Sequence, residues 1–312
     1  MATGIASTAA RSEAPRLSWA LLVVAGMVFL LLSARVALAA VRRPGAIAAE
    51  LRALPEGFDV LTLVAAAGVL SVRLHAAGDD GAAVAAGALA VAAWPILTIA
   101  VALTVVRRQL TLADAVSGNW LLAVVGTQSV ATTAAVAALA RDSPALARAA
   151  FAAWAAGLVL YAALIGPVTR RLADLAGRHG LTPDFWIAMG ALAISTLAAA
   201  ALVHAPGTPE AQLVKLAGLA TFLAAAAWIP PLAAIDLRAT RMPRPSPTSG
   251  RWSMVFPLAM FSASAQAYGR ATGTPALTTL GDWFTWVALA AWLAVAAATA
   301  TGRWPTRRSP AP

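Results

Sequence analysis

The stretch VVGTQS (124–129) sets Thr127, Gln128 and Ser129 side by side behind Gly126, inside a run otherwise made of Ala, Val and Leu. Thr132 and Thr133 follow within a turn, and Ser195 with Thr196 repeat the pattern in another apolar run. Hydroxyl and amide groups in such a setting can only hydrogen-bond. They either join neighbouring helices, at about 0.6 kcal/mol each, or replace part of an ion's hydration shell without a fixed charge that would hold the ion. Residue type alone leaves both readings open.

Groups suited to other chemistry are absent from the run interiors. Asp59, Asp184, Lys215, Asp236 and Asp282 sit at run ends, and His75, His179 and His204 lie far apart near span ends. There is no Cys, so disulfides, thiolate metal sites and thiol chemistry are excluded. A proton-coupled carrier needs a carboxylate or His relay within the membrane, and a cation path needs acidic rings; neither pattern occurs. A membrane enzyme would need paired acids or an activated nucleophile, whereas Asp79-Asp80 reads as a turn. No catalytic residue, cofactor or metal site is therefore expected. Hydroxyls, amides and exposed backbone N–H groups, with Arg at the mouths, suit small inorganic or organic anions moving down their gradient. Arg73, near one run's end, could raise the local anion concentration; snorkelling to the interface is the plainer alternative.

Long helices must position these residues. The chain is 60% hydrophobic and only 12% charged, with mean hydropathy +0.76, against about 25% charged residues in soluble domains. Nine apolar runs, at 17–41, 57–75, 82–106, 116–140, 147–168, 185–203, 212–235, 252–269 and 282–301, are each long enough to cross a hydrocarbon layer of about 30 Å as a helix. They lack the alternation of barrel strands. The 23 basic residues are 22 Arg and Lys215, spread over short loops, which reads as topogenic charge and not as a nucleic-acid patch. Fifteen of them fall after the first, third, fifth and seventh runs and in the tail, against six on the opposite side. The larger set marks the cytoplasm, placing the C-terminus and the tail 304–312 inside and residues 8–16 outside. A secretory signal ending near ARVALAA (34–40) is the competing reading of the first run, but cleavage there would leave Arg42 and Arg43 outside.

The outward-running spans share a small-residue motif. Gly4 and Ser7, Gly68 and Ser71, Gly126 and Ser129, Gly190 and Ser195, and Pro257 with Ser262 recur in order, their first members 64, 58, 64 and 67 residues apart. That period is one two-helix hairpin. The expected architecture is an all-α polytopic membrane domain over 1–303: hairpins at 57–106, 116–168, 185–235 and 252–301 around a central pore, after an incomplete first hairpin, 1–41. MATGIAS (1–7) then reads as the outer half of a first span cut short by a truncation or a mis-assigned start. Gly126 and Gly190 could equally allow close helix packing.

GNWLLAVVGTQSV (118–130), TPDFWIAMGALAIST (182–196) and GRWSMVFPLAMF (250–261) resemble segments of the tellurite-resistance/C4-dicarboxylate transporter family, which includes slow anion channels, and MATGIAS resembles the middle of that family's first helix. The resemblance runs through nearly the whole chain. It implies ten helices in five hairpins, odd-numbered ones inside, a pore in each subunit of a homotrimer, and a phenylalanine plug that matches Phe256. Pro257 would then kink the helix and aim that ring across the axis. Departures occur at Ala66, Ala67 and Gly68, where relatives carry a more polar stretch, and at Asp59, where an aromatic is usual. On this reading Gly68, Ser71, Gly126, Thr127, Gln128, Ser129, Gly190, Ser195, Pro257 and Ser262 line the pore, Phe256 gates it and Arg73 attracts anions to its mouth. The Arg-for-Lys bias and abundant Ala suggest a bacterial inner membrane protein from a GC-rich genome. Two other classes remain: a non-transporting remnant or assembly partner, and, less well supported, a membrane-embedded enzyme.

Overall fold

The computed structural model describes residues 1–42, 45, 56–107, 117–176, 183–239 and 248–301. Within them the chain forms ten α-helices and no strand: α1 (Ala2–Ala9), α2 (Pro15–Arg42), α3 (Thr62–His75), α4 (Asp80–Arg107), α5 (Leu122–Arg141), α6 (Pro144–Ala176), α7 (Ile187–Leu202), α8 (Ala211–Ala239), α9 (Trp252–Thr272) and α10 (Pro275–Thr301). Eight helical segments are long and apolar enough to cross a membrane. The ninth expected span, α9, has the length, but Ser262, Ser264, Gln266, Tyr268 and Arg270 make it more polar than the others. The tail 304–312, His179 and the loop residues Arg43, Arg52, Arg108, Arg178, Arg241, Arg244, Arg303, Arg307 and Arg308 lie outside the described residues.

Burial alternates along the chain. The spans Gly57–His75, Gly118–Arg141 and Pro183–Leu202 are 67%, 83% and 89% buried, whereas those containing α2, α4, α6, α8 and α10 reach 28% at most. Each even-numbered helix presents large apolar side chains outward, among them Leu30, Ile96, Val159, Leu216 and Trp283. Such faces are stable only against lipid, since in water they would be aggregation surfaces. The odd-numbered helices are rich in Ala, Gly, Ser and Thr, which let backbones approach closely. They pack on one another in a closed order, α1 on α3, α3 on α5, α5 on α7, α7 on α9 and α9 on α1, and each also packs on the even helix that follows it.

Short 3₁₀ turns, Glu56–Leu61, Gly118–Leu121, Pro183–Trp186 and Thr248–Arg251, precede α3, α5, α7 and α9. Successive turns touch one another and tie together the N-terminal ends of these helices. The tightest junction is at Gly118, whose amide donates to Asp184 Oδ2 at 2.6 Å. A Cβ at Gly118 would collide with the Asp184 carbonyl, which is backbone and cannot swing aside. Gly118→Ala is expected to cost about 3 kcal/mol, the upper range for overpacking, and to lower the thermal midpoint of the detergent-solubilised protein. An unchanged midpoint would show that the junction yields freely.

Candidate functional site

The C-terminal halves of the odd helices surround a cavity of about 480 Å³, with walls supplied by all five. Thr8 comes from α1, Val72 from α3, Thr132 and Val136 from α5, Leu197 and Ala201 from α7, and Ala263 and Gln266 from α9. Arg11, in the turn after α1, and Arg270 stand in its lining, which holds no carboxylate among the described residues. Towards the helix middles the space narrows to about 10 Å³ between Ile5, Gly68, Val69, Ser129 and Ile194, with Thr8, Val72, Thr132 and Leu197 shared by both spaces. That is about the least that holds one water, so this level is a constriction of the enclosed space.

The wide cavity has helix geometry behind it. Positions three or four apart share a face, and the stripes Gly68–Val72–Ala76, Ser129–Thr132–Val136 and Ile194–Leu197–Ala201 follow that spacing. Among the residues singled out from sequence, Gly68, Ser129 and Thr132 therefore line the enclosed space. The Ser129 hydroxyl donates to the Val125 carbonyl at 2.8 Å, and a Cβ on Gly68 would come within 3.0 Å of Ser129 Cβ.

Most of the others turn to the neighbouring even helix. Ser71 Oγ donates to the Ala83 carbonyl at 2.7 Å, Gln128 Nε2 to the Trp154 carbonyl at 3.0 Å and Ser262 Oγ to the Gly281 carbonyl at 2.8 Å. Thr196 and Thr221 share a hydroxyl hydrogen bond of 2.9 Å, and Ser7 Oγ donates to the Ser18 carbonyl at 2.7 Å. At least one such bond thus joins every odd helix to its even successor. Thr127 accepts from Trp94 Nε1 at 3.0 Å, and the Ser195 carbonyl accepts from Trp154 Nε1 at the same distance. Gly126 faces Val64 and Trp94. Glycines of the even helices make these approaches possible: a Cβ at Gly87 would meet Ser71 Oγ at 2.9 Å, one at Gly281 would meet the Gln266 amide at 2.7 Å, and one at Gly157 would overlap Gln128.

Phe256 is fully buried, and Pro257 beside it is buried too. A Cβ on Gly190 would stand 3.1 Å from Phe256 Cε1 and 3.0 Å from Pro257 Cγ, so Gly190 is the seat on which this pair rests. The ring lies on the N-terminal side of the narrow level and lines neither space. Arg73 is 2% exposed. Its Nε donates to Ser7 Oγ at 3.0 Å and a terminal nitrogen to Ser18 Oγ at 2.9 Å, with the guanidinium 5.3 Å from the Trp19 ring centre. It clasps α1 and α2 instead of lining the cavity. At the opposite, N-terminal end, the indole N–H groups of Trp120 and Trp186 are buried without an acceptor among the described residues.

A profile described as voltage-dependent anion channel matches residues 1–300. The chain belongs to this family. It is thus a multi-pass membrane protein of an anion channel and transporter family, in agreement with the resemblance seen in its motifs and with its apolar helices. It is also similar to an uncharacterized membrane protein of Mycobacterium tuberculosis, found in strains CDC 1551/Oshkosh and ATCC 25618/H37Rv, at 39% identity over 119 residues. That match takes in 36% of this chain and 60% of either relative. Cavity residues that sequence reasoning missed include Ile5, Thr8, Arg11, Val72, Leu197, Gln266 and Arg270. The signal for Val72 and Leu197 was their place four and three residues after Gly68 and Ile194, not their polarity.

Proposed function

We propose that the chain is one transmembrane pore domain of five hairpins that carries small inorganic or organic anions across a bacterial inner membrane. The path runs along the common axis of α1, α3, α5, α7 and α9 and is closed by Phe256. The observation that carries this reading is the cavity to which all five odd helices contribute: a void built by every member of a closed set lies on the axis of that set. Its lining offers hydroxyls, an amide and guanidinium groups but, among the described residues, no carboxylate, which favours anions over cations. At the other end, four helix N-termini, each carrying about half a positive elementary charge, and the unpaired indole N–H groups of Trp120 and Trp186 suit anions as well. In this reading the C-terminus is cytoplasmic and subunits assemble as trimers with separate pores.

The test is flux through the purified chain in liposomes. Chloride, nitrate and succinate are each supplied on one side, and sodium with an impermeant anion serves as the control. Anion flux above that of empty vesicles, with no sodium flux, is expected. A monodisperse, folded protein that passes no anion with either Phe or Ala at position 256 would end the channel reading.

A further inference from the structure

The geometry points to a binding site for a polyatomic oxyanion, a carboxylate, sulfate or phosphate group, held between Arg11 and Arg270 in the 480 Å³ cavity. This deepens the proposed function and rests on it only for placing the site on the conduction path.

Three observations meet here. Arg11 and Arg270 are the charged members of the lining, they come from different parts of the chain, and both are exposed enough to reach a solute. Behind them Arg73 is buried, its guanidinium bonded only to the neutral hydroxyls of Ser7 and Ser18. Arg11 lies within electrostatic range of both Arg73 and Arg270. Asp282, outside the lining, accepts from Ser12 Oγ at 3.4 Å and is felt by Arg270. Among the described residues none of the three arginines forms an ion pair. Arg11 and Arg270, with no carboxylate in the lining among the described residues, leave a surplus of positive charge facing a solvent-sized void.

Helix polarity sharpens the point. The odd helices turn their C-terminal ends towards this mouth, and each such end carries about half a negative elementary charge. Without the arginines the mouth would repel the anions that the axis could pass. Guanidinium groups do more than reverse the sign, because their planar forks bond pairs of oxygens. A halide takes no advantage of that geometry and would rattle in 480 Å³. An oxyanion can bridge the two forks, then wait where the path narrows to about 10 Å³.

Equilibrium binding of radiolabelled sulfate to the detergent-solubilised protein, at fixed ionic strength, tests the site without reference to transport. Arg11→Gln and Arg270→Gln are each expected to weaken sulfate binding about tenfold, as loss of one charge-assisted bond of about 1.4 kcal/mol implies. Arg11→Lys, which keeps the charge and loses the fork, should fall between. Succinate should displace the label at far lower concentration than chloride does. Variants that bind sulfate as the parent does, or chloride displacing it as well as succinate, would overturn the site. Sulfate binding in a protein that passes no anion would leave the site standing and remove the conduit.

Discussion

Phe256→Ala raises anion flux through the reconstituted protein about tenfold or more, the change expected when an apolar constriction is removed, while lowering its stability. The two effects have opposite signs, and that makes the experiment discriminating. A ring of this size buried in a protein core costs about 3–5 kcal/mol when cut back to Ala, so thermal stability must fall whatever the ring's role. If Phe256 only packed against Gly190 and Pro257, flux would fall with it or stay unchanged. Only a ring across the path gives a weaker fold and a faster leak together. Flux from a light-scattering or ion-electrode assay, normalised to folded protein, reads one effect, and the thermal midpoint in detergent reads the other. A fall in both assigns Phe256 to packing.

Gly190 supplies a companion test. A Cβ there would press on Phe256 Cε1 at 3.1 Å and on Pro257 Cγ at 3.0 Å, contacts tight enough that something must move. Gly190→Ala should shift the ring and so change basal flux, with a smaller stability cost of about 1–3 kcal/mol. A flux indistinguishable from the parent would show that the ring's seat is not linked to the path.

The helices were legible because lipid imposes a strict rule on composition. A segment facing hydrocarbon must be apolar all round and about 20 residues long, and the expected run 17–41 matches Pro15–Arg42 almost to the residue. The Gly/Ser repeat correctly marked the odd helices as those that pack most closely, since α3, α5 and α7 are the buried ones. What it did not mark was direction. Three residues of helix turn about 300°, so Gly68 and Ser71 diverge by about 60°. In a set of helices packed side by side, that rotation moves Ser71 onto the Ala83 carbonyl of α4 and leaves Gly68 against the enclosed space. Polarity was a poor guide for the same reason. Ser71, Gln128, Thr196 and Ser262 went to the even helices, and much of the axis was left to Ile5, Val72, Ile194 and Leu197. Arg73 was the natural choice for an anion-attracting residue, being nearest a span's end. Ser7 and Ser18 hold its guanidinium instead, and Arg11 and Arg270 face the cavity.

This division of labour has a physical logic. A hydroxyl bonded to a neighbouring helix has spent its donor and has less to offer a passing ion. An axis lined mainly by Ala, Val, Leu and Ile binds nothing strongly, so an ion that enters can leave, which conduction requires. Selectivity is then set at the two ends, by guanidinium groups at one and by helix N-termini at the other, and closure by bulk in between.

Gly68→Leu, placed in the Phe256→Ala background, abolishes the extra flux. The two positions lie at different depths, Gly68 at the narrow level and Phe256 on its N-terminal side, and on different helices. Obstacles in series on one path obey a simple rule: removing one opens nothing while the other is made worse. Obstacles on separate paths act independently. Gly68 is the position to fill because its missing side chain leaves the room that Ser129 and Thr133 border, with Cβ contacts of 3.0 and 3.2 Å awaiting even an Ala. A leucine there must project into a space of about 10 Å³ or force α3 away from α5. Gly68→Ala in the same background separates these outcomes, since it should reduce flux only in part at a cost of about 1 kcal/mol. If the double variant carrying Gly68→Leu elutes as a single folded species and still leaks as Phe256→Ala does, the ring's removal has opened a route outside the five-helix axis, and the shared conduit falls with it.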